Sequence, residues 1–391
     1  MDRTPTGVRQ ALAHAGVDAL YGSRWPGLPV VPVTSAALGA LLAAAHERVT
    51  GRAAGVVDGE TIAVHGHALD LDAANADPAP EHRDEVDPAA IARIAAAVRP
   101  VLLAGPGVVA QGMVEGLHAL ATAGSLGVLN TWGAKGVFDW RSHHHLATIG
   151  LQQRDFELGG LAAADLIIAT GTDEAEASAA RWQLAPHIEL APDQLGAAAE
   201  LLERPHSIPQ APPLRTGLAA VTQAGWTAMG TPLAPTRATL GYATVIGSVG
   251  GMVAGDPGWA GYWIARTFAT TEPGAAIVPA APMQGFAAAC TLVARLLRPL
   301  RPVLTAVDAL DTATQAVLEA ARSLGVGIGV EVWCDDGELL DAEAHTARLR
   351  ELAVVDRPTT ATLATDSAQR QAMIDVAGPV IAWGGSRQLA P

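Results

Sequence analysis

An apolar run, Val101 to Ala104, leads directly into Gly105-Pro106-Gly107 and then into a stretch with helical spacing, Val108 to Ala123. Glycines between a strand and a helix leave backbone N–H groups able to cradle a phosphate, and the helix dipole favours its charge. The same glycines would also let the helix pack closely on its strand, and one Gly-Pro-Gly does not separate the two uses. Two groups of histidines raise metal chemistry. His65, His67, Asp70 and Asp72 alternate along a strand-like segment, so two ligands could share one face. The spacing supplies no third or fourth ligand, and plain exposure of a polar strand is the favoured reading. Arg141-Ser142-His143-His144-His145 offers consecutive imidazoles, which cannot all reach one ion from a strand or helix.

These residues require elements that hold them. The unit strand, glycine turn, helix recurs: Val101 to Ala123, then Gly127 to Asn130 with the turn WGAKGVF, then a buried strand at Leu166 to Thr170 ending on Gly171. Strands alternating with helices give an α/β, multidomain fold of parallel sheets flanked by helices, with ligands expected at the carboxyl ends of strands. Before this region, a β-α-β pattern is expected from strands at Asp18 to Tyr21, Pro29 to Val33 and Gly55 to Val57 and a helix at Ser35 to Arg48, with Thr34 or Ser35 as its N-cap. A short hairpin and a proline-bearing linker with Pro78 and Pro80 follow. Glu203 to Arg215 reads as a second linker. The tail gives a strand at Leu352 to Val355, a helix at Ser367 to Val376 and a strand at Pro379 to Trp383, then Gly384-Gly385.

The 391 residues, 50 % of them apolar, suffice for two or three domains with their own cores. The 39 acidic against 25 basic residues, a formal charge of −14, disfavour nucleic acid and anionic membranes as partners. No secretory signal precedes the first helix, and prolines at 273, 279 and 282 break the longest uncharged run, so no membrane span is expected. Cys290 and Cys334 lie in apolar or strand-like runs, which argues against a disulfide scaffold and for a reducing, cytoplasmic setting.

The order RPVLLAGPGV, TWGAKGVF, HHHLATIGLQ, ADLIIATGTD resembles the central domain of thiamine-diphosphate-dependent enzymes of the acetolactate synthase and 2-oxoacid decarboxylase superfamily. The resemblance implies three domains: a shortened pyrimidine-binding-like domain and linker at 1–87, the central α/β domain at 88–204 and, after a linker at 205–216, a pyrophosphate-binding-like domain at 217–391. It implies that the glutamate that protonates the aminopyrimidine falls on Ala36, counting back from Thr50-Gly51. His46-Glu47 spells the same dipeptide at the wrong end of the helix, three to four turns away, where Glu47 reads as a solvated residue. It implies a cofactor-binding loop at Gly285, and a metal motif in which Val307-Asp308-Ala309 replaces Gly-Asp-Gly and Asp335-Asp336 replaces two asparagines. Asp308 and Asp335 remain as oxygen ligands for Mg²⁺, but side chains at 307 and 309 crowd the approach of a phosphate, and new carboxylates add charge beside it.

The favoured expectation is an acetolactate synthase-like protein with an eroded thiamine diphosphate and magnesium site, serving as a non-catalytic scaffold or partner subunit in a homo-oligomer or with a related chain. The second is an active lyase or carboligase on a 2-oxo acid with catalytic groups from a partner. The third is a protein that binds a nucleotide or CoA in the central domain, with Gly105 and Gly107 beside the phosphate.

Overall fold

The structure, a computed structural model, describes residues 5–69, 85–202, 205, 207, 210–247 and 249–384. Asp70, Asp72, Pro78, Pro80, Gly385 and residues 203, 204, 206, 208 and 209 of the expected second linker lie outside the described residues. The described residues form three five-stranded sheets in sequence order. The first contains β1 (Val17–Gly22), β2 (Val31–Pro32), β3 (Ala53–Asp58), β4 (Thr61–Val64) and β5 (His67–Ala68), ordered 2-1-3-4-5. Strands β2, β1 and β3 are parallel, and the expected hairpin adds β4 and β5 antiparallel.

The second sheet is wholly parallel and holds β6 (Pro100–Ala104), β7 (Gly127–Thr131), β8 (His145–Ile149), β9 (Leu166–Thr170) and β10 (His187–Glu189) in the order 10-9-6-7-8. Its strands are continuous apolar runs, as strands covered on both faces must be. Leu102, Leu103, Val128, Leu129, Ile167 and Ile168 have no exposed surface. The helix expected over Val108 to Ala123 is two helices, Pro106–Ala110 and Val114–Gly124, interrupted by a turn.

The third sheet, also parallel, holds β11 (Met252–Gly255), β12 (Ala276–Ile277), β13 (Val303–Val307), β14 (Gly329–Trp333) and β15 (Thr359–Leu363) in the order 12-11-13-14-15. Two expectations for the tail fail here. Leu352 ends the helix Ala342–Leu352, because Leu349 and Leu352 recur at helical spacing and both face the core. The strand is instead Thr359–Leu363, an edge strand whose threonines stay partly exposed, so no apolar run announces it. Trp383 lies in a 3₁₀ turn, buried beside Trp132 at 6.0 Å between ring centroids, and the expected strand reduces to one bridge, Gln152 with Val380.

The sheets are joined through side chains. The helix Ala36–Thr50 packs its Leu38, Leu42 and Ala45 face on the helix Phe286–Leu297, where Ala287, Ala288, Ala289 and Cys290 allow close approach. Between the second and third sheets lies a buried ion pair, Arg266 with Asp155, both side chains without exposure. Arg266 Nη2 donates to both oxygens of Asp155 at 2.9 and 2.7 Å, and Nη1 to the Thr148 carbonyl at 2.7 Å. Gln152 continues the network, accepting from Tyr262 Oη at 2.8 Å and donating to the Met373 carbonyl at 2.8 Å. Truncating one partner of such a pair strands the other charge in the interior. Asp155→Ala is expected to cost about 3–5 kcal/mol, measured as a lower urea midpoint by circular dichroism; a change below about 1 kcal/mol would show that the pair does not join the sheets.

Candidate functional site

In an open parallel sheet, ligands bind beyond the carboxyl ends of the strands where the strand order reverses. In the third sheet this place lies between β11 and β13, and a carboxylate follows each strand. Asp256, after β11, accepts from Gly285 N at 2.9 Å and Ala287 N at 2.6 Å, closing the start of the helix Phe286–Leu297. Asp308, after β13, accepts from Trp259 N at 2.6 Å and Ala260 N at 2.8 Å, closing the start of the helix Trp259–Thr267. Asp311 caps its own helix, Thr312–Leu324, through Thr314 N at 2.7 Å. Three helix starts near this sheet edge are thus served by the chain's own carboxylates.

Burial sets the chemistry of this pair. Desolvation pushes Asp256 up to about 7, against the pull of its two backbone N–H donors, with Asp311 and Asp308 adding like charge. Burial also raises Asp308, opposed by the N–H groups of Ala260 and Trp259 and by the positive charge of Arg370, which stacks over the Trp259 ring at 4.9 Å. Gly285 stands at φ +73, and a Cβ there would meet the Ala313 carbonyl carbon at 2.8 Å, so backbone crossing accounts for the glycine. Asp335, expected to share a metal with Asp308, is exposed in the turn after β14. Among the described residues no group of three or more His, Cys, Asp or Glu could hold a metal ion.

A bound diphosphate with Mg²⁺ does not fit these residues as they stand. Both oxygens of Asp308 are committed to backbone hydrogens, and the N–H groups that would face a phosphate already have carboxylate acceptors. An added polyanion would meet Asp256, Asp308 and Asp311 in a poorly solvated setting. Ala36, where the resemblance expects a glutamate, is the exposed first residue of its helix, and Ser35 caps it through Leu38 N at 3.2 Å.

A second site lies at the reversal point of the second sheet, between β6 and β9. A cleft of about 650 Å³ is lined by Gly107, Gly171, Thr172 and Asp173 together with Arg48 and Met283. A Cβ at Gly105 would lie 2.2 Å from the Gly171 carbonyl oxygen, and one at Gly107 would lie 2.8 Å from the Gly171 Cα. Their spacing therefore permits two strand-end turns to cross, and only Gly107 lines the cleft. Beneath it, Glu176 is fully buried and takes hydrogens from Arg48 Nη2 at 2.6 Å, Thr131 Oγ1 at 2.6 Å and Gly133 N at 2.8 Å.

The remaining expectations scatter. His65 and His67 are exposed on the first sheet, His65 lying 3.4 Å from half-exposed Glu47. His46 is buried between Asp18 at 2.6 Å and Tyr21 Oη at 2.9 Å. The three adjacent histidines diverge: His143 is exposed, His144 packs near Phe138 with Nδ1 2.8 Å from the Leu126 carbonyl, and burial beside Lys135 pushes His145 down to about 3. The strand-end residue not singled out from the sequence is Asp256; the signal for it was an apolar strand running directly into an aspartate, as at Asp308.

Geometry thus defines an α/β protein whose sheets each carry a strand-end reversal point. Residues 88–201 match the family model described as thiamine pyrophosphate enzyme, central domain, which relates this stretch to the thiamine-diphosphate enzyme superfamily. No curated protein matches the chain. No helix among the described residues is long and apolar enough to cross a membrane.

Two outcomes follow from the buried carboxylates. Asp308→Ala leaves the N–H groups of Trp259 and Ala260 without acceptors, and is expected to cost about 1–3 kcal/mol equally with and without Mg²⁺; a loss confined to Mg²⁺-containing buffer would restore a metal role. Asp256 binds its proton more tightly folded than unfolded, so its contribution favours folding below about pH 4 and is withdrawn as pH rises to about 7. Asp256→Asn should therefore flatten that part of the stability–pH curve in urea titrations, and an unchanged slope would count against the raised value.

Proposed function

We propose that the chain is an acetolactate synthase-like protein with an eroded thiamine diphosphate site, acting as a non-catalytic scaffold or partner subunit. The observation that carries this reading is the internal capping at the third sheet: Asp256 and Asp308 flank the strand reversal and consume the backbone donors. Ala36 supports it independently, since a methyl group cannot protonate an aminopyrimidine. A partner role follows from the resemblance, because active sites of that family lie between subunits and a chain lacking one half-site still completes an oligomer.

Calorimetric titration with thiamine diphosphate in the presence and absence of Mg²⁺ tests the reading. No heat at millimolar cofactor is expected, together with a mass above that of one chain by light scattering. Mg²⁺-dependent binding would overturn the eroded site and favour the lyase or carboligase reading on a 2-oxo acid. A protein that stays monomeric and co-purifies with nothing would remove the partner role. The cleft at Gly107, Thr172 and Asp173 supports one further reading, a nucleotide- or CoA-binding protein. A rise in thermal midpoint with ADP or CoA, lost on Gly107→Val, would favour it.

A further inference from the structure

The outermost strand of the third sheet, β15, pairs with β14 on one side only. Thr359 N donates to the Ile328 carbonyl at 3.0 Å, and the Leu363 carbonyl accepts from Cys334 N at 3.0 Å. These bonds fix the alternation along the strand: residues 359, 361 and 363 turn their peptide groups to β14, and Thr360 and Thr362 turn theirs outward. The outward N–H groups of Thr360 and Thr362 and the Thr360 carbonyl bond to no described residue. The Thr362 carbonyl accepts from Arg348 Nη1 at 3.0 Å, which uses one of its two lone pairs. Beyond it the strand is closed by Glu338, whose carbonyl accepts from Ala364 N at 3.0 Å.

An open sheet edge is a template for another strand, and proteins blunt such edges with short strands, charge, proline or a cover. The other edges of the three sheets are blunted. Strands β2, β5 and β12 have two residues each. β10 has three, and Arg93 Nη2 donates to its His187 carbonyl at 3.1 Å. β8 is largely buried, with its Thr148 carbonyl taken by Arg266 at 2.7 Å. β15 has five residues, TTATL, with neither charge nor proline, and Thr360 and Thr362 are exposed. Its two ends carry different groups. Val354, 69 % exposed, and exposed Arg357 precede it, whereas Leu339, 62 % exposed, and exposed Glu338 lie beside its carboxyl end.

We infer that the β15 edge is the surface on which a second copy of this chain pairs, antiparallel about a two-fold axis at Ala361, so that two third sheets become one continuous sheet. The inference rests on the partner-subunit reading and names the surface and the partner. Thr360 of each copy then lies opposite Thr362 of the other, and each such pair exchanges N–H···O bonds in both directions. The antiparallel arrangement also brings the amino end of one strand to the carboxyl end of the other. Val354 of each copy is thereby turned toward Leu339 of the other, and Arg357 toward Glu338. Donors meet acceptors, apolar side chains meet apolar ones and a guanidinium meets a carboxylate, which is the self-complementarity that an isologous contact requires. A foreign strand would use the same outward hydrogen bonds but would gain nothing from this exchange of ends.

Sedimentation velocity of the full chain over a concentration series, with amide hydrogen exchange at Thr360 and Thr362, tests this. A reversible monomer–dimer equilibrium is expected, with both amides protected at high concentration and exchanging freely on dilution. Thr360→Pro removes an N–H that the chain's own sheet does not use, a change that edge strands tolerate, and is expected to abolish the dimer. Thr360→Val keeps the N–H and is expected to retain it. If Thr360→Pro fails to fold, Leu339→Glu, which sets a carboxylate against Val354 of the second copy, is expected to lose the dimer instead. A dimer that survives these substitutions, or one whose Thr360 and Thr362 amides stay unprotected, would overturn the edge and leave the partner-subunit reading standing. A wild-type chain that stays monomeric at every concentration would overturn the inference as well, and would overturn the partner-subunit reading too if nothing co-purified with it.

Discussion

The architecture depends on a carboxylate that water cannot reach. Glu176 has no exposed side-chain surface, so its charge must be answered entirely by the protein, and it is answered from different parts of the chain. Arg48 arrives from the helix Ala36–Thr50, and Thr131 and Gly133 from the end of β7. The Arg48 guanidinium also donates to the Val278 carbonyl at 3.3 Å, beside β12. One buried charge therefore fixes the mutual placement of elements from all three sheets. The cleft above Glu176 exists because that placement is held, and Gly133 is small because a Cβ there would lie 2.4 Å from a Glu176 oxygen.

The third sheet follows a related rule with a different consequence. A parallel strand ends by pointing its last carbonyl and the following helix start toward the same edge, and unsatisfied N–H groups at a helix start demand an acceptor. Where a ligand phosphate meets that demand, the site is a binding site. Here Asp256 and Asp308 meet it, which stabilises the edge and removes the donors from chemistry. The same carboxylates make this edge of the fold self-sufficient.

Much of the architecture was legible in the sequence, for reasons that lie in single segments. Val101 to Ala104, Gly127 to Asn130 and Leu166 to Thr170 are apolar along their length, which only a strand covered on both faces tolerates, and all three are strands. Edge strands were hidden for the opposite reason: Thr359–Leu363 is half solvated, so its composition resembles that of a loop. Leu352 was misassigned because a buried helix end and a short strand present the same apolar residues.

The sequence by itself determined which groups are missing or present: a methyl at position 36, valine and alanine around Asp308, and glycines at 105, 107 and 285. Residue identity and spacing suffice for that, because they are covalent facts. What each group does was decided only by tertiary structure. Gly105 and Gly107 meet the Gly171 turn, more than sixty residues away in the chain, and Asp308 closes a helix that begins nearly fifty residues before it. Hydrogen bonds and close packing act over a few ångströms of space regardless of separation along the chain, so no local pattern could assign those partners.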